Sequence, residues 1–214
     1  MRPSPWVDEV PHRRLILAAP ALLLAARRAS AATAQGAEAA ALIAALRAGG
    51  VVTVMRHGIT DRSQVDTGDL ANRAGQRNLS AEGRAQSLRT GRAVAALGIP
   101  LGQVLTSPVF RARDTAELAF GARAVVEPKL TADDYTPDAA LLRDRIAWLG
   151  TRSGRPSAPG ATDVLVGHIV PLGMMLGRGL AQAEFPEGSF AVFAPGRGLR
   201  GILAAETLWA AAAV

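Results

Sequence analysis

Residues 51–58 read Val-Val-Thr-Val-Met-Arg-His-Gly, and the rest of the chain is organised around this octapeptide. Four of its first five residues are apolar and three of those are valine, a composition that predicts a buried strand. The strand ends in a cation, an imidazole and a glycine, at Arg56, His57 and Gly58. In an open α/β sheet, ligands bind in the crevice beyond the carboxyl ends of the strands. The octapeptide therefore predicts either a strand that delivers functional side chains to such a crevice or a strand that stops at an ordinary turn.

A second segment, Asp-Val-Leu-Val-Gly-His at residues 163–168, has the same pattern, an apolar run that ends in a glycine and a histidine. Around these two strands, segments with helical spacing or helix-capping residues alternate with short apolar runs. The predicted helices lie at about 37–47, 81–97 (capped by Ser80), 108–120 (capped by Ser107), 138–149 and 171–180; the further strands lie at about 102–106, 125–126, 189–194 and 199–204; and the loops lie at 59–78 and 151–161. This order predicts an α/β protein, a three-layer α/β/α sandwich with a mixed, mainly parallel sheet.

The composition fits a globular protein and excludes several kinds of chemistry. Of the 214 residues, 49% are hydrophobic and 20% are charged, and there is no cysteine. Disulfides, thiol catalysis and cysteine-ligated zinc are therefore excluded. The formal charge is +6, but the first 34 residues contribute +3 of it through five arginines against Asp8 and Glu9. The remaining +3 is not clustered among aromatic residues, which argues against a nucleic-acid partner.

The first 34 residues have the parts of an export signal. These parts are paired arginines at 13–14, an uncharged apolar run at 15–26, a second arginine pair at 27–28 and the small-x-small pattern Ala32-Thr33-Ala34. The apolar run is too short to span a bilayer but fits the core of a signal peptide, and the arginine pair before it resembles a twin-arginine signal. We predict a signal peptide at 1–34, a single domain at 35–214 without a stable membrane span, and a periplasmic or secreted bacterial protein. The alternative is an uncleaved amphipathic or membrane-anchoring helix.

The segment after residue 34 contains two histidines, His57 and His168. Each lies at the predicted carboxyl end of a strand, where side chains from neighbouring strands converge on one crevice. A single histidine in this setting is most simply structural. Two histidines at matching positions indicate a shared functional site.

Several segments resemble, in the same order along the chain, the motifs of the histidine phosphatase (phosphoglycerate mutase-like) superfamily. The segments are Arg56-His57-Gly58-x-Thr60, Leu79-Ser80-x-x-Gly83-x-x-Gln86, Ser107-Pro108-x-x-Arg111-Ala112-x-x-Thr115-Ala116, Val166-Gly167-His168, and Glu187-Gly188 before a strand. The resemblance covers about residues 50–205 and implies a phosphoglycerate mutase-like fold.

The resemblance implies a phosphate pocket with a nucleophilic histidine. His57 would attack phosphorus and become a phosphohistidine, and His168 would add a hydrogen-bond donor. Arg56 and Arg111 would hold the phosphoryl oxygens, for which arginine is suited because its charge does not titrate and its planar fork binds two oxygens. Thr60 and Ser63 would bind substrate from the loop that follows, although Ser63 stands where the family usually has asparagine.

The leaving group of a phosphate ester needs a proton, so we expect a carboxylic acid near the pocket. The stretch that corresponds to the family's acid contains Asp133 and Asp134 after Leu130, and either of the two is our candidate. Glu127 and Glu184 are alternatives. Two histidines without a carboxylate motif of ligand spacing make a poor metal site, so we predict no metal and no cofactor, and activity that survives a chelator.

These residues together predict a phosphomonoester hydrolase that acts through a phosphohistidine on a small phosphate ester, such as a sugar phosphate or a phosphate of the cell envelope. One alternative is a phosphohistidine or phosphoprotein phosphatase. Another is a catalytically inactive module that only binds phosphate. A nucleic-acid binder is the least favoured hypothesis.

Overall fold

The structure, a computed structural model, describes residues 18–213, with side chains from residue 33 onward. The chain divides into two compact units, residues 1–38 and 39–214. In the first unit the described residues are helical, because helix α1 runs over Ala18–Ala48. The arginine pair at 13–14 lies outside the described residues. No helix in the described part of the chain is long and apolar enough to cross a membrane.

The second unit contains one sheet covered by helices. Its strands are β1 (Val51–Arg56), β2 (Leu101–Thr106), β3 (Ala124–Val126), β4 (Thr162–Gly167), β5 (Phe190–Ala194) and β6 (Gly198–Leu203). Its further helices are α2 (Ala81–Ala96), α3 (Phe110–Phe120), α4 (Ala139–Gly154), α5 (Ile169–Met175) and α6 (Ala205–Ala212). The strand order is β3-β2-β4-β1-β5-β6; β1 to β4 are parallel to their neighbours within that group, and β5 is antiparallel to both β1 and β6. The predicted mixed, mainly parallel sheet is confirmed.

The two faces of β1 show why the sheet is covered on both sides. Val51 and Met55 belong to a core that includes residues of α1, α2, α3 and α6, whereas Val52 and Val54 belong to a second core that includes residues of α4 and α5. Side chains alternate between the faces of a strand, so a continuous apolar run is suited to a strand that is buried on both faces. The predicted three-layer sandwich is confirmed.

The position of β1 beside β4 determines where the site forms. The two strands are parallel and in register, with Arg56 opposite Gly167 at their carboxyl ends. The next residue of each strand is a histidine, so His57 and His168 leave the middle of the sheet side by side.

Several predicted boundaries were wrong. Helix α3 begins at Phe110 rather than directly after Ser107, because Val109 is extended and Ser107 accepts its N–H in a turn before the helix. Helix α4 continues to Gly154, into the predicted loop, and α5 covers Ile169–Met175 instead of 171–180. Gly177, with a φ of 69°, follows the end of α5, since a left-handed residue cannot continue a right-handed helix. Helix α6 was not predicted.

Candidate active site

His57 and His168 lie together and are almost completely buried. Their ring centroids are 5.4 Å apart and the rings are tilted by 55°. Only 3% of His57 and 5% of His168 is exposed. Burial lowers the pKa of both rings well below the ordinary value, and the positive charge of Arg111 lowers both further. The two imidazoles are therefore neutral at pH 7.

The hydrogen bonds of His57 determine which ring nitrogen is available for chemistry. Its Nδ1 lies 2.9 Å from the carbonyl oxygen of Gly58. A carbonyl oxygen can only accept, so Nδ1 carries the proton and the lone pair of the neutral ring is on Nε2. Nε2 is the nitrogen that can act as a nucleophile.

Arg56 is held through the two terminal nitrogens of its guanidinium group. Nη1 donates to the carbonyl of Phe185 at 2.6 Å, and Nη2 donates to Oε1 of Gln182 at 2.6 Å. The Nε–H of Arg56 is buried and has no partner. Burial lowers the pKa of Arg56 to about 10, so its side chain keeps a positive charge at neutral pH.

Arg111, the second residue of α3, is held in a similar way by two carboxylates. Nη1 lies 2.9 Å and 3.0 Å from the two carboxylate oxygens of Asp66, and Nη2 lies 3.3 Å from Oδ2 of Asp134. Asp66 also accepts the hydroxyl of Tyr135 and, at 2.9 Å, the backbone N–H of Arg77. The Nε–H of Arg111 remains buried without a partner.

Arg77, which the sequence analysis missed, brings a third cation to the same place. Its Nε is buried and unpartnered, and no hydrogen bond or ion pair of its side chain is found within the described residues. Burial is the main cause of the lowered pKa of His57 and His168, and the charge of Arg77 adds to it. The sequence signal was an arginine two positions before Leu79, inside a segment that was predicted only as a polar loop.

The four candidates for the carboxylic acid differ in their contacts. Asp134 touches Arg111, and burial raises the pKa of its carboxyl group even though Arg111 opposes that shift. No side-chain hydrogen bond of Asp133 is found in the described part of the chain. Glu127 accepts the N–H of Lys129, and Glu184 is exposed and paired with Arg178.

Glu187 is a further carboxylate that the sequence analysis missed as a site residue. Its side chain is 8% exposed and accepts the hydroxyl of Thr60 at 2.9 Å. Nη2 of Arg62 lies 3.5 Å from the Glu187 carboxylate. The negative charge of Glu187 acts to raise the pKa of Arg56, against the larger effect of burial. Thr60 itself is buried, with 3% of its surface exposed. Ser63 is exposed and its hydroxyl donates to Asp61 at 2.7 Å, so the structure uses Ser63 within the loop.

The backbone after His57 is fixed by residues of the quoted motifs. The N–H of Gly58 donates to Thr115 at 2.8 Å, and the N–H of Ile59 donates to Gln86 at 3.0 Å. A Cβ at Gly83 would collide with the carbonyl of Ile59, so α2 can approach this turn only with glycine at that position. Thr115, Gln86 and Gly83 therefore all act to hold the turn that follows His57.

The polar segment 59–78 is pinned to α3. Arg73 donates to both carboxylate oxygens of Asp114, at 2.7 Å and 2.9 Å. Gln76 is fully buried and accepts the N–H of Phe110 at 3.0 Å. The segment thereby places Asp66 against Arg111 and brings the charge of Arg77 close to the two histidines. Within the described residues, no group of three or more histidine, aspartate or glutamate side chains is arranged to hold a metal ion.

Residues 52–133 match the model of the histidine phosphatase superfamily (branch 1). An uncharacterized protein of Picosynechococcus sp. is 34% identical over 118 residues, which are 55% of this chain and 66% of that protein. The structure of the protein histidine phosphatase SixA complexed with tungstate aligns with a TM-score of 0.51 at 20% identity and covers 74% of this chain and 99% of that one. The putative phosphohistidine phosphatase SixA from Agrobacterium tumefaciens aligns with a TM-score of 0.50 at 19% identity, over 72% of this chain and 98% of that one. At these identities the two structures show the shared fold. The family match over residues 52–133 and the shared fold confirm the predicted resemblance to the histidine phosphatase superfamily.

Proposed function

We propose that this protein is a phosphomonoester hydrolase in which His57 carries the phosphoryl group. One observation supports this most strongly. Four buried N–H or ring nitrogen groups around the nucleophile lack a partner within the described residues: Nε of Arg56, Arg77 and Arg111, and Nδ1 of His168.

Unpartnered buried donors are unfavourable, at about 1–3 kcal/mol each, unless a ligand satisfies them. A phosphoryl group suits this set because it carries up to two negative charges and several acceptor oxygens. The arginines are held through their terminal nitrogens or, at Arg77, not held by the side chain at all. The phosphate therefore meets donors that are oriented before it binds, which lowers the cost of reorganisation.

In the first step, the Nε2 lone pair of His57 attacks phosphorus and the bond from phosphorus to the ester oxygen breaks. The Nδ1–H of the resulting phosphohistidine stays bonded to the carbonyl of Gly58, which stabilises the positive charge that develops on the ring. The arginines and His168 hold the phosphoryl oxygens. The departing oxygen takes the proton of the Asp134 carboxyl group, whose raised pKa favours the protonated form.

In the second step, water attacks the phosphohistidine. The Asp134 carboxylate accepts a proton from this water, and the bond between phosphorus and Nε2 breaks. Inorganic phosphate leaves, and His57 and Asp134 return to their starting states. Asp134 thus serves first as an acid and then as a base. This role requires a carboxyl group that is close to the phosphate-binding arginines and is accessible to water. Asp134 contacts Arg111, and 42% of its side chain is exposed.

We assign the substrate to small phosphate esters, with sugar phosphates or phosphates of the cell envelope as the preferred class. The test is a panel of sugar phosphates, nucleotides, lipid headgroup phosphates and a phosphohistidine peptide, with release of inorganic phosphate as the readout. Turnover of small esters supports the proposal. Selective turnover of the peptide would transfer the assignment to a phosphohistidine phosphatase. Tight binding of phosphate without turnover of any compound would identify an inactive binding module.

We also propose that residues 1–34 direct export. The observation is the sequence pattern of paired arginines, an apolar run and a small-x-small site. Amino-terminal sequencing of the protein recovered from the periplasm of a bacterial host should give a start near Gln35. Recovery of cytoplasmic protein with Met1 intact would contradict export.

A further inference from the structure

We propose that Ser107 is a positioning residue that fixes the tautomer of His168. Its hydroxyl donates to Nε2 of His168 and thereby keeps the proton of the imidazole on Nδ1, where it faces no partner within the described residues and is free to bind an oxyanion. The use of that proton by a phosphoryl group rests on the function proposed above. The assignment of the tautomer does not.

The direction of this hydrogen bond follows from the contacts of one oxygen atom. Oγ of Ser107 lies 2.9 Å from Nε2 of His168 and 3.2 Å from the backbone nitrogen of Val109. The N–H of Val109 can only donate, so Oγ accepts from it. Ser107 has no exposed surface, so solvent offers its hydroxyl hydrogen no alternative partner. Nε2 of His168 is the acceptor that remains for this hydrogen.

The opposite tautomer leaves more groups unsatisfied. If Nε2 carried the proton, Oγ would accept two hydrogen bonds and its own hydrogen would be buried without an acceptor, which is unfavourable. Nδ1 would then carry a lone pair. A lone pair at that position would repel an incoming phosphoryl group, whereas the Nδ1–H attracts it.

The neutral state of the ring makes the tautomer important. Burial, Arg111 and His57 lower the pKa of His168, so the ring has a single proton to place. A charged imidazolium would donate from both nitrogens, so its Nδ1 would carry a proton whatever Ser107 did. Because the ring is neutral, the acceptor at one nitrogen decides what the other nitrogen can do.

Ser107 also connects His168 to the start of helix α3, which carries Arg111. The N–H that it accepts belongs to Val109, the residue before α3, and Arg111 is the second residue of that helix. One buried hydroxyl therefore contacts the second histidine and the turn into the helix that bears the second arginine. Ser107 therefore lies in the turn before α3 and is not the residue that caps the helix, which is Val109.

The test is long-range ¹H–¹⁵N NMR of the full chain labelled with ¹⁵N-histidine, with and without inorganic phosphate. We expect His168 in the Nδ1–H form, and His57, fixed by the carbonyl of Gly58, also in the Nδ1–H form as an internal reference. In Ser107→Ala the spectrum of His168 should change to the Nε2–H form or a mixture, while that of His57 is unchanged. An Nε2–H form of His168 in the wild type would overturn the proposal even if the variant fails to fold.

A kinetic measurement separates positioning from general damage. Ser107→Ala should slow phosphorylation of the enzyme about 10- to 100-fold, as expected for loss of a hydrogen bond to a charged group. In a His168→Asn background, which keeps an N–H near the position of Nδ1, the same substitution should have little further effect. Equal losses in both backgrounds would show that Ser107 does not act through His168. If the tautomers are as expected but no ester is hydrolysed, the role of Ser107 stands and the proposed hydrolase function falls.

Discussion

Both carboxylate oxygens of Asp66 accept hydrogen bonds from Nη1 of Arg111, at 2.9 Å and 3.0 Å. Only 3% of the arginine side chain is exposed. Asp66 comes from the polar loop after β1, and Arg111 comes from the first turn of α3. The pair therefore fixes the orientation of Arg111, one of the arginines that we propose to bind the phosphoryl group. Burial acts to raise the pKa of Asp66, but the hydrogen bonds from Tyr135 and the loop and the charge of Arg111 outweigh it and lower the pKa overall.

Neutralising Asp66 should weaken phosphate binding even though it removes a negative charge from the site. In Asp66→Asn we expect kcat/KM to fall at least about tenfold, because a charge-assisted bidentate contact that orients Arg111 is lost. The matched control is Glu206→Gln, since Glu206 is an exposed carboxylate on α6. An increase in kcat/KM for Asp66→Asn would show that Asp66 instead competes with the substrate.

Arg77 should contribute to affinity for the phosphoryl group. In Arg77→Met we expect inorganic phosphate to inhibit about tenfold more weakly, because one unpartnered cation is removed from the pocket. Arg92→Met, which removes an exposed arginine of α2, is the control and should leave the inhibition constant unchanged. Equal inhibition constants for both variants would show that Arg77 does not bind the phosphoryl group.

Asp134 should matter most for esters with poor leaving groups. In Asp134→Asn we expect hydrolysis of an alkyl phosphate to slow about 10²- to 10⁴-fold, because the alkoxide leaves without a proton. Release of p-nitrophenolate, a much better leaving group, should slow far less in a single turnover. Asp133→Asn and Glu187→Gln provide the comparison. If Glu187→Gln and not Asp134→Asn shows this dependence on the leaving group, the proton donor is Glu187.

The two buried histidines should make the fold sensitive to acid. Their folded pKa values are lowered by burial and by Arg111, so the folded protein keeps them neutral while the unfolded chain binds protons below about pH 6.5. The unfolded state then binds more protons, and the free energy of unfolding falls with decreasing pH, by up to about 1.4 kcal/mol per pH unit for each histidine.

Urea unfolding between pH 7.5 and 5.5 measures this slope. Replacing His168 by asparagine should remove up to one histidine's share of the pH dependence. A slope that is the same in the wild type and in a variant lacking both His57 and His168 would show that neither ring is held neutral in the folded protein.

The sequence predicted the part of the site that depends on strand ends. His57 and His168 each follow an apolar run that was predicted as a strand, and the structure shows these strands, β1 and β4, paired in parallel with one histidine directly after each. Arg56 and Arg111 lie within recognisable motifs. These positions could be predicted because the local sequence pattern and the topology of the sheet place the same residues at the carboxyl ends of the strands.

Arg77 and Glu187 were missed because they reach the pocket only through tertiary contacts. Arg77 lies in an irregular segment whose path is set by distant partners, such as the pairing of Arg73 with Asp114. Helix α6 was missed because it is rich in alanine, which gives little contrast between a buried and an exposed face.

The covalent role of His57 is the centre of the account, and rapid quenching tests it most directly. The protein is mixed with a ³²P-labelled phosphate ester, quenched within one turnover, and its label is tested for stability in acid and base. We predict label on His57 that is lost in acid and retained in base, that is absent in His57→Ala, and that persists at reduced yield in Arg77→Met. Label of the same kind on the His57→Ala protein, or turnover by the wild type with no labelled intermediate at any quench time, would contradict the account.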